Sequence, residues 1–143
     1  MIAGQLALAA ASVFAGAALY VSFVEHPARA HLDDQSALTE WKPAYKRGFA
    51  MQGPLAVAGF LFGLLAWWQS ASLIWLLGAL VLIANWPYTL LVILPTNNAL
   101  MAMAPAQAGS ASHTLLERWG KLHDVRSALG CLAAAIFLVA SLR

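Results

Sequence analysis

Trp119, His123 and Arg126 are spaced by four and then three residues, which places all three on one face of a helix. An imidazole there is a natural general base at neutral pH, because its unperturbed pKa lies at about 6.5. Acting on an acidic C–H or O–H, it would leave an anion that Arg126 is placed to stabilise. A second face has the same character: Trp41, Tyr45, Gly48 and Gln52 recur at helical intervals. Asn97 adds an amide donor and Tyr45 a phenol. His123, Arg126, Asn97 and Tyr45 are therefore the expected catalytic set. Trp41, Gln52, Trp119, His26, Arg47, Asn85 and Tyr88 are expected to bind a substrate around it.

Other readings use the same residues. Trp, Tyr, Arg and His favour the headgroup region of a bilayer, so each alone reads as an interfacial anchor. The joint descent of Trp119, His123 and Arg126 along one helix face argues against anchoring for the whole set. His26 and His123 could hold a metal, with Glu25, Glu117 or Asp124 as oxygen donors, but no HExxH or other tight ligand spacing is present. The same two histidines could ligate haem, which would be non-covalent because no CxxCH occurs. The expectation is no metal and no cofactor. A reading without chemistry is a binding or accessory membrane protein for a lipophilic ligand.

The elements that must position these residues are plain in the composition. Of 143 residues, 62% are apolar and only 10% are Asp, Glu, Lys or Arg. Four stretches, Ile2–Val24, Phe49–Trp68, Ser72–Leu94 and Val125–Leu142, are nearly free of charge. A span of about 20 apolar residues crosses a ~30 Å hydrocarbon core, and in lipid such spans must be helices. The expected fold is all-α: one integral membrane domain over residues 1–143, an antiparallel four-helix bundle with helices at about 2–25, 40–68, 72–94 and 114–142. The first and third connections, with the helix starts beside them, hold all four histidines and every charge except Arg143. Seven of the eight lysines and arginines lie at that end. The positive-inside rule then puts the long loops in the cytoplasm, as in a multi-pass protein of a bacterial inner membrane. With a net charge of +2 and no basic run, nucleic acid is not an expected partner. A lone Cys131 rules out a disulfide framework. The expected partners are a lipophilic small molecule and membrane lipid.

Local signals refine the boundaries. In the first helix Ser12, Gly16 and the alanines at 11, 15 and 18 invite close helix approach, or alternatively a homo-oligomer contact. Pro27 marks a break after His26, and Pro95 is expected to stop the third helix. Thr39 is the expected N-cap of the second helix. Asn85, Tyr88 and Thr89 share one face of the third, beside Pro87. Thr114 and Glu117 fit a capping box for the fourth. Trp67, Trp68 and Trp75 flank a very short turn and read as an interfacial belt.

Taken together, four segments resemble the anthrone-oxygenase-like family of small four-helix membrane proteins, whose members are mostly bacterial and mostly uncharacterised. They are VEHPARA, WKPAYKRGFAMQ, NWPYTLLVILPTNNAL and LLERWGKLHDVRSALG. The resemblance covers nearly the whole chain and is closer to the bacterial members than to the fungal enzymes that name the family. Likeness to the fungal enzymes concentrates around Pro95, Asn97, Trp119, His123 and Arg126. It implies the bundle fold and an oxygenase that uses O₂ on a planar apolar or quinone-like substrate, as the fungal members oxidise an anthrone to an anthraquinone. It leaves open the substrate, the pathway and the oligomeric state.

Overall fold

The computed structural model describes every residue, Met1–Arg143. It is helical, without strands. Four helices are long and apolar enough to cross a membrane: α1 Ile2–Arg29, α2 Asp34–Ser70, α3 Leu73–Ala102 and α4 Ser110–Ser141. Short connections make consecutive helices antiparallel. α1 and α3 each pack beside α2 and α4, so the helices close a ring in chain order. The all-α bundle expected from the four apolar runs is the fold observed. Leu61, Leu77, Leu91 and Leu132 remain exposed on its outside, where lipid tails are as apolar as they are.

Small residues set the spacing of the core. Ala3, Ala7, Ala11, Phe14 and Ala18 form the buried stripe of α1. Ala15 is buried beside them, whereas Ser12 and Gly16 face outward, so only the alanines of the expected small-residue face serve the bundle. Phe14 seats against Gly130 of α4, where a Cβ would come within 2.7 Å of its ring. Phe137 seats against Gly78 in the same way, where a Cβ would come within 2.6 Å of its ring. Ring-into-glycine packing of this kind holds helices together in lipid, where burial alone gives no drive. Trp68 is exposed as an interfacial residue should be, but Trp75 is buried over Gly4 and Phe137 and belongs to the core instead.

The prolines do not end helices as expected. α1 runs through Pro27 to Arg29, and α3 runs through Pro95 to Ala102. In each, the turn before the proline widens into a π-helical stretch, Val21–Glu25 and Thr89–Ile93. The amide before each proline then reaches five residues back, His26 N–H to the Val21 carbonyl and Leu94 N–H to that of Thr89. The wider turn relieves the clash between a proline ring and the carbonyl four residues back. α2 likewise carries Pro43 and Pro54 within one continuous helix.

Two helix starts also lie earlier than expected. α2 begins at Asp34, capped by the Asp33 carboxylate, which accepts from Ser36 N–H at 2.9 Å. Thr39 is inside that helix and donates to the Gln35 carbonyl. α4 begins at Ser110, where Ser112 and Gly109 bond reciprocally. Thr114 therefore donates to the Ser110 carbonyl from within the helix, and no Thr114 and Glu117 box forms. At the far end of α3, Lys42 reaches across from α2 to the Met101 and Met103 carbonyls, which have no helical partner.

Candidate functional site

Near the loop-rich end all four helices turn polar side chains toward one partly open cavity, with about 420 Å³ of empty space counting the solvent at its mouth. Tyr45 and Gln52 come from α2, Asn97 from α3, and Trp119, His123 and Arg126 from α4. Val21, Glu25, Phe49 and Ile93 complete the wall. The Trp119, His123, Arg126 face is buried as its spacing predicts.

Aromatic packing shapes one side of the space. Tyr45 stacks parallel on Trp41 at 4.9 Å between centroids, and Trp119 stacks on His123 at 5.0 Å. Trp41 meets Trp119 edge to face at 5.9 Å. Trp41 is fully buried behind Tyr45 and supports the cavity without lining it.

Helix α4 is gripped from both π-helical stretches. Ser22, in the first, lies 3.3 Å from His123 Nδ1 and 2.8 Å from the Ser127 hydroxyl. Thr89, in the second, accepts from an Arg126 terminal nitrogen at 2.8 Å. The other terminal nitrogen of Arg126 donates to the Gln52 side-chain oxygen at 3.1 Å. The Arg126 guanidinium lies over the Phe14 ring, and its Nε–H is buried without a partner. Trp119 donates to Asn97 Oδ1 at 2.9 Å, which leaves Asn97 Nδ2 as a second unpartnered buried donor.

The two buried arginines differ in one respect that matters. Arg29 is neutralised by Glu25, at 2.6 Å, and by Glu40. Arg126 has no carboxylate within ion-pair distance; the remaining ion pairs join His113 to Asp34 and Glu117. Its partners are neutral, yet only 8% of its surface is exposed. A charge so placed inside a membrane bundle is costly unless something compensates it.

Other expected site residues fall elsewhere. Arg47 is exposed and outside the cavity, because it lies off the helix face shared by Tyr45, Gly48 and Gln52. His26 packs on the far arm of this cluster, against Trp119 and over Gly120, where a Cβ would overlap its ring. It opens into a separate cavity with Arg29 and His113. His26 and His123 thus face different spaces, and no trio of His, Cys, Asp or Glu side chains converges as a metal's ligands would. Tyr88 donates to the Leu122 carbonyl at 2.8 Å and ties α3 to α4. Asn85 lies in a second, small and partly open cavity that shares Phe49, Gln52 and Arg126 with the first. Asn85 donates to the Leu82 carbonyl there, and its Oδ1 is buried without a partner. Ser22, Ser127 and Phe14 are contacts that sequence spacing alone does not reveal. Ser22 as a rare hydroxyl in an apolar run was their one available signal.

The anthrone oxygenase of Claviceps purpurea (strain 20.1) is 34% identical to this chain over 146 residues, covering 92% of the chain and 83% of the relative. No solved structure matches significantly. The anthrone oxygenase family model matches residues 41–136, from Trp41 in α2 through the cavity residues of α3 and α4, and on that match the chain belongs to the anthrone oxygenase family.

Proposed function

We infer that this chain is a membrane-embedded oxygenase for a planar apolar carbon acid of the anthrone type. The observation that carries the reading is Arg126, a buried and unneutralised cation that shares its cavity with His123. Such a site favours a ligand that arrives neutral and becomes an anion within it, since the anion then receives the charge that the protein leaves unpaired. The name of the Claviceps relative points the same way.

His123 serves as the base. In the tautomer whose Nδ1–H donates to Ser22, with Ser22 donating on to Ser127, Nε2 keeps the lone pair that proton abstraction needs. The proton leaves the benzylic carbon for Nε2, and the negative charge spreads onto the ligand oxygen. Arg126 Nε–H and Asn97 Nδ2–H, the buried donors without protein partners on residues that line the cavity, are available to that oxygen. Tyr45 and Trp119 offer flat walls to a planar ring system. The electron-rich anion then reacts with O₂. The resulting hydroperoxide loses water to give the new carbonyl, so each turnover consumes one O₂, releases one water and needs no external reductant.

Purified protein in detergent, supplied with anthrone, is expected to consume O₂ and form anthraquinone in equal amounts, above the protein-free rate. A rate equal to the protein-free one would end this reading. For orientation, the lysine and arginine asymmetry supports loops in the cytoplasm. Ser70→Cys and Ser110→Cys are exposed positions at opposite ends of the bundle. They should be labelled by a membrane-impermeant thiol reagent from opposite sides, with Ser110→Cys reached from the cytoplasm.

A further inference from the structure

The geometry points to sideways entry: the ligand reaches the cavity from the bilayer, through the seam between α1 and α2 at Gly48. This rests on the carbon-acid reading above for the choice of ligand, but not on the chemistry that follows binding.

The cavity is closed toward the loops. Leu38, Trp41, Leu100 and Leu116 are buried together there, three or more residues beyond the cavity lining on their helices, and form an apolar plug with Trp119. It is also closed along α3 and α4, whose lining residues, Ile93, Asn97, Trp119, His123 and Arg126, are all buried. The half-exposed lining lies on α1 and α2, at Val21, Glu25, Ala44 and Gly48 among others.

The two seams of α2 differ at this depth. Between α2 and α3, the Trp86 indole donates to the Gly53 carbonyl at 3.2 Å and packs edge on against Phe49. That seam is fastened. Between α1 and α2 the cross-link is Arg29 to Glu40, nearer the loops, and no hydrogen bond joins the helices at the level of Gly48. A Cβ built on Gly48 would meet nothing within 4 Å. The neighbouring Val24 and Met51 are apolar and exposed, as befits an opening onto hydrocarbon. The gap lies at the edge of the hydrocarbon, flanked by half-exposed Glu25 and exposed Arg47 and just above the uncharged run that begins at Phe49, where a planar molecule partitioned into the membrane meets it.

Gly48 is a suitable test position, because the first atom of a larger side chain meets no packed neighbour there. Gly48→Ala, Gly48→Leu and Gly48→Trp would be compared with Gly16→Trp, which introduces the same bulk at another open glycine of α1. The readout is the anaerobic association rate of anthrone, followed by quenching of tryptophan fluorescence in liposome-reconstituted protein. Association should slow with side-chain size, by about tenfold or more for Gly48→Trp, as expected when entry needs a conformational change. Gly16→Trp should match wild type. Equal rates across the Gly48 series would overturn sideways entry at this seam while leaving the site intact. Wild type that binds no anthrone would overturn the functional reading and this proposal with it. Gly48→Leu, the smaller intrusion, decides the matter where Gly48→Trp loses helix content.

Discussion

His123→Ala is expected to lower anthrone-dependent O₂ uptake by about 10²–10⁴-fold, the range that a positioned general base contributes. His123 is buried in the cavity wall between Trp119, on which it stacks, and Arg126 one turn on. Truncation removes the only imidazole lining that space. Ser22 and Ser127 keep their mutual hydrogen bond at 2.8 Å, so no buried hydroxyl is stranded and helix content should hold. His31→Ala and His113→Ala serve as controls, since both residues are exposed and off the cavity. Full activity in His123→Ala would remove the base assignment.

Arg126→Met should reduce turnover by about 10²–10³-fold, the usual loss when a donor to a developing oxyanion is removed. Its effect on stability should be unlike that of an ordinary core mutation. Loss of the guanidinium leaves Thr89 and Gln52 short of a donor, at roughly 1–3 kcal/mol each. Against that stands the removal of an unneutralised cation from the bundle interior, worth several kcal/mol by rough reckoning. Thermal stability in detergent should therefore hold or rise while activity collapses. Arg29→Met should behave in the opposite way, because it strands Glu25 and Glu40 without their cation. A drop in stability for Arg126→Met as large as that for Arg29→Met would mean that Arg126 is structural.

Much of this was legible in residue spacing. Four uncharged runs specify four helices, because lipid leaves the backbone no alternative. The Trp119, His123 and Arg126 face could be read because a polar face on a membrane helix must point inward. Arg47 misled for want of the same test: one residue from Gly48, it is rotated off the face that Tyr45 and Gln52 share. Pro27 and Pro95 misled because a proline is read as a stop, whereas a π-helical turn lets the helix continue. Asn97, two residues past Pro95, is held in the cavity wall by that continuation. Ser22 was invisible because its role depends on α1 lying beside α4, a neighbour relation set by ring closure rather than by any local pattern.

The central claim is that this cavity converts a neutral carbon acid into its anion, and binding without oxygen isolates that step. Anthrone would be titrated into the protein under anaerobic conditions at neutral pH, with the absorption spectrum recorded at each addition. The expected result is the long-wavelength absorption of the anthrone anion, saturating with the protein and absent in His123→Ala. Anthrone that binds to wild type and keeps the spectrum of its neutral form would contradict the claim.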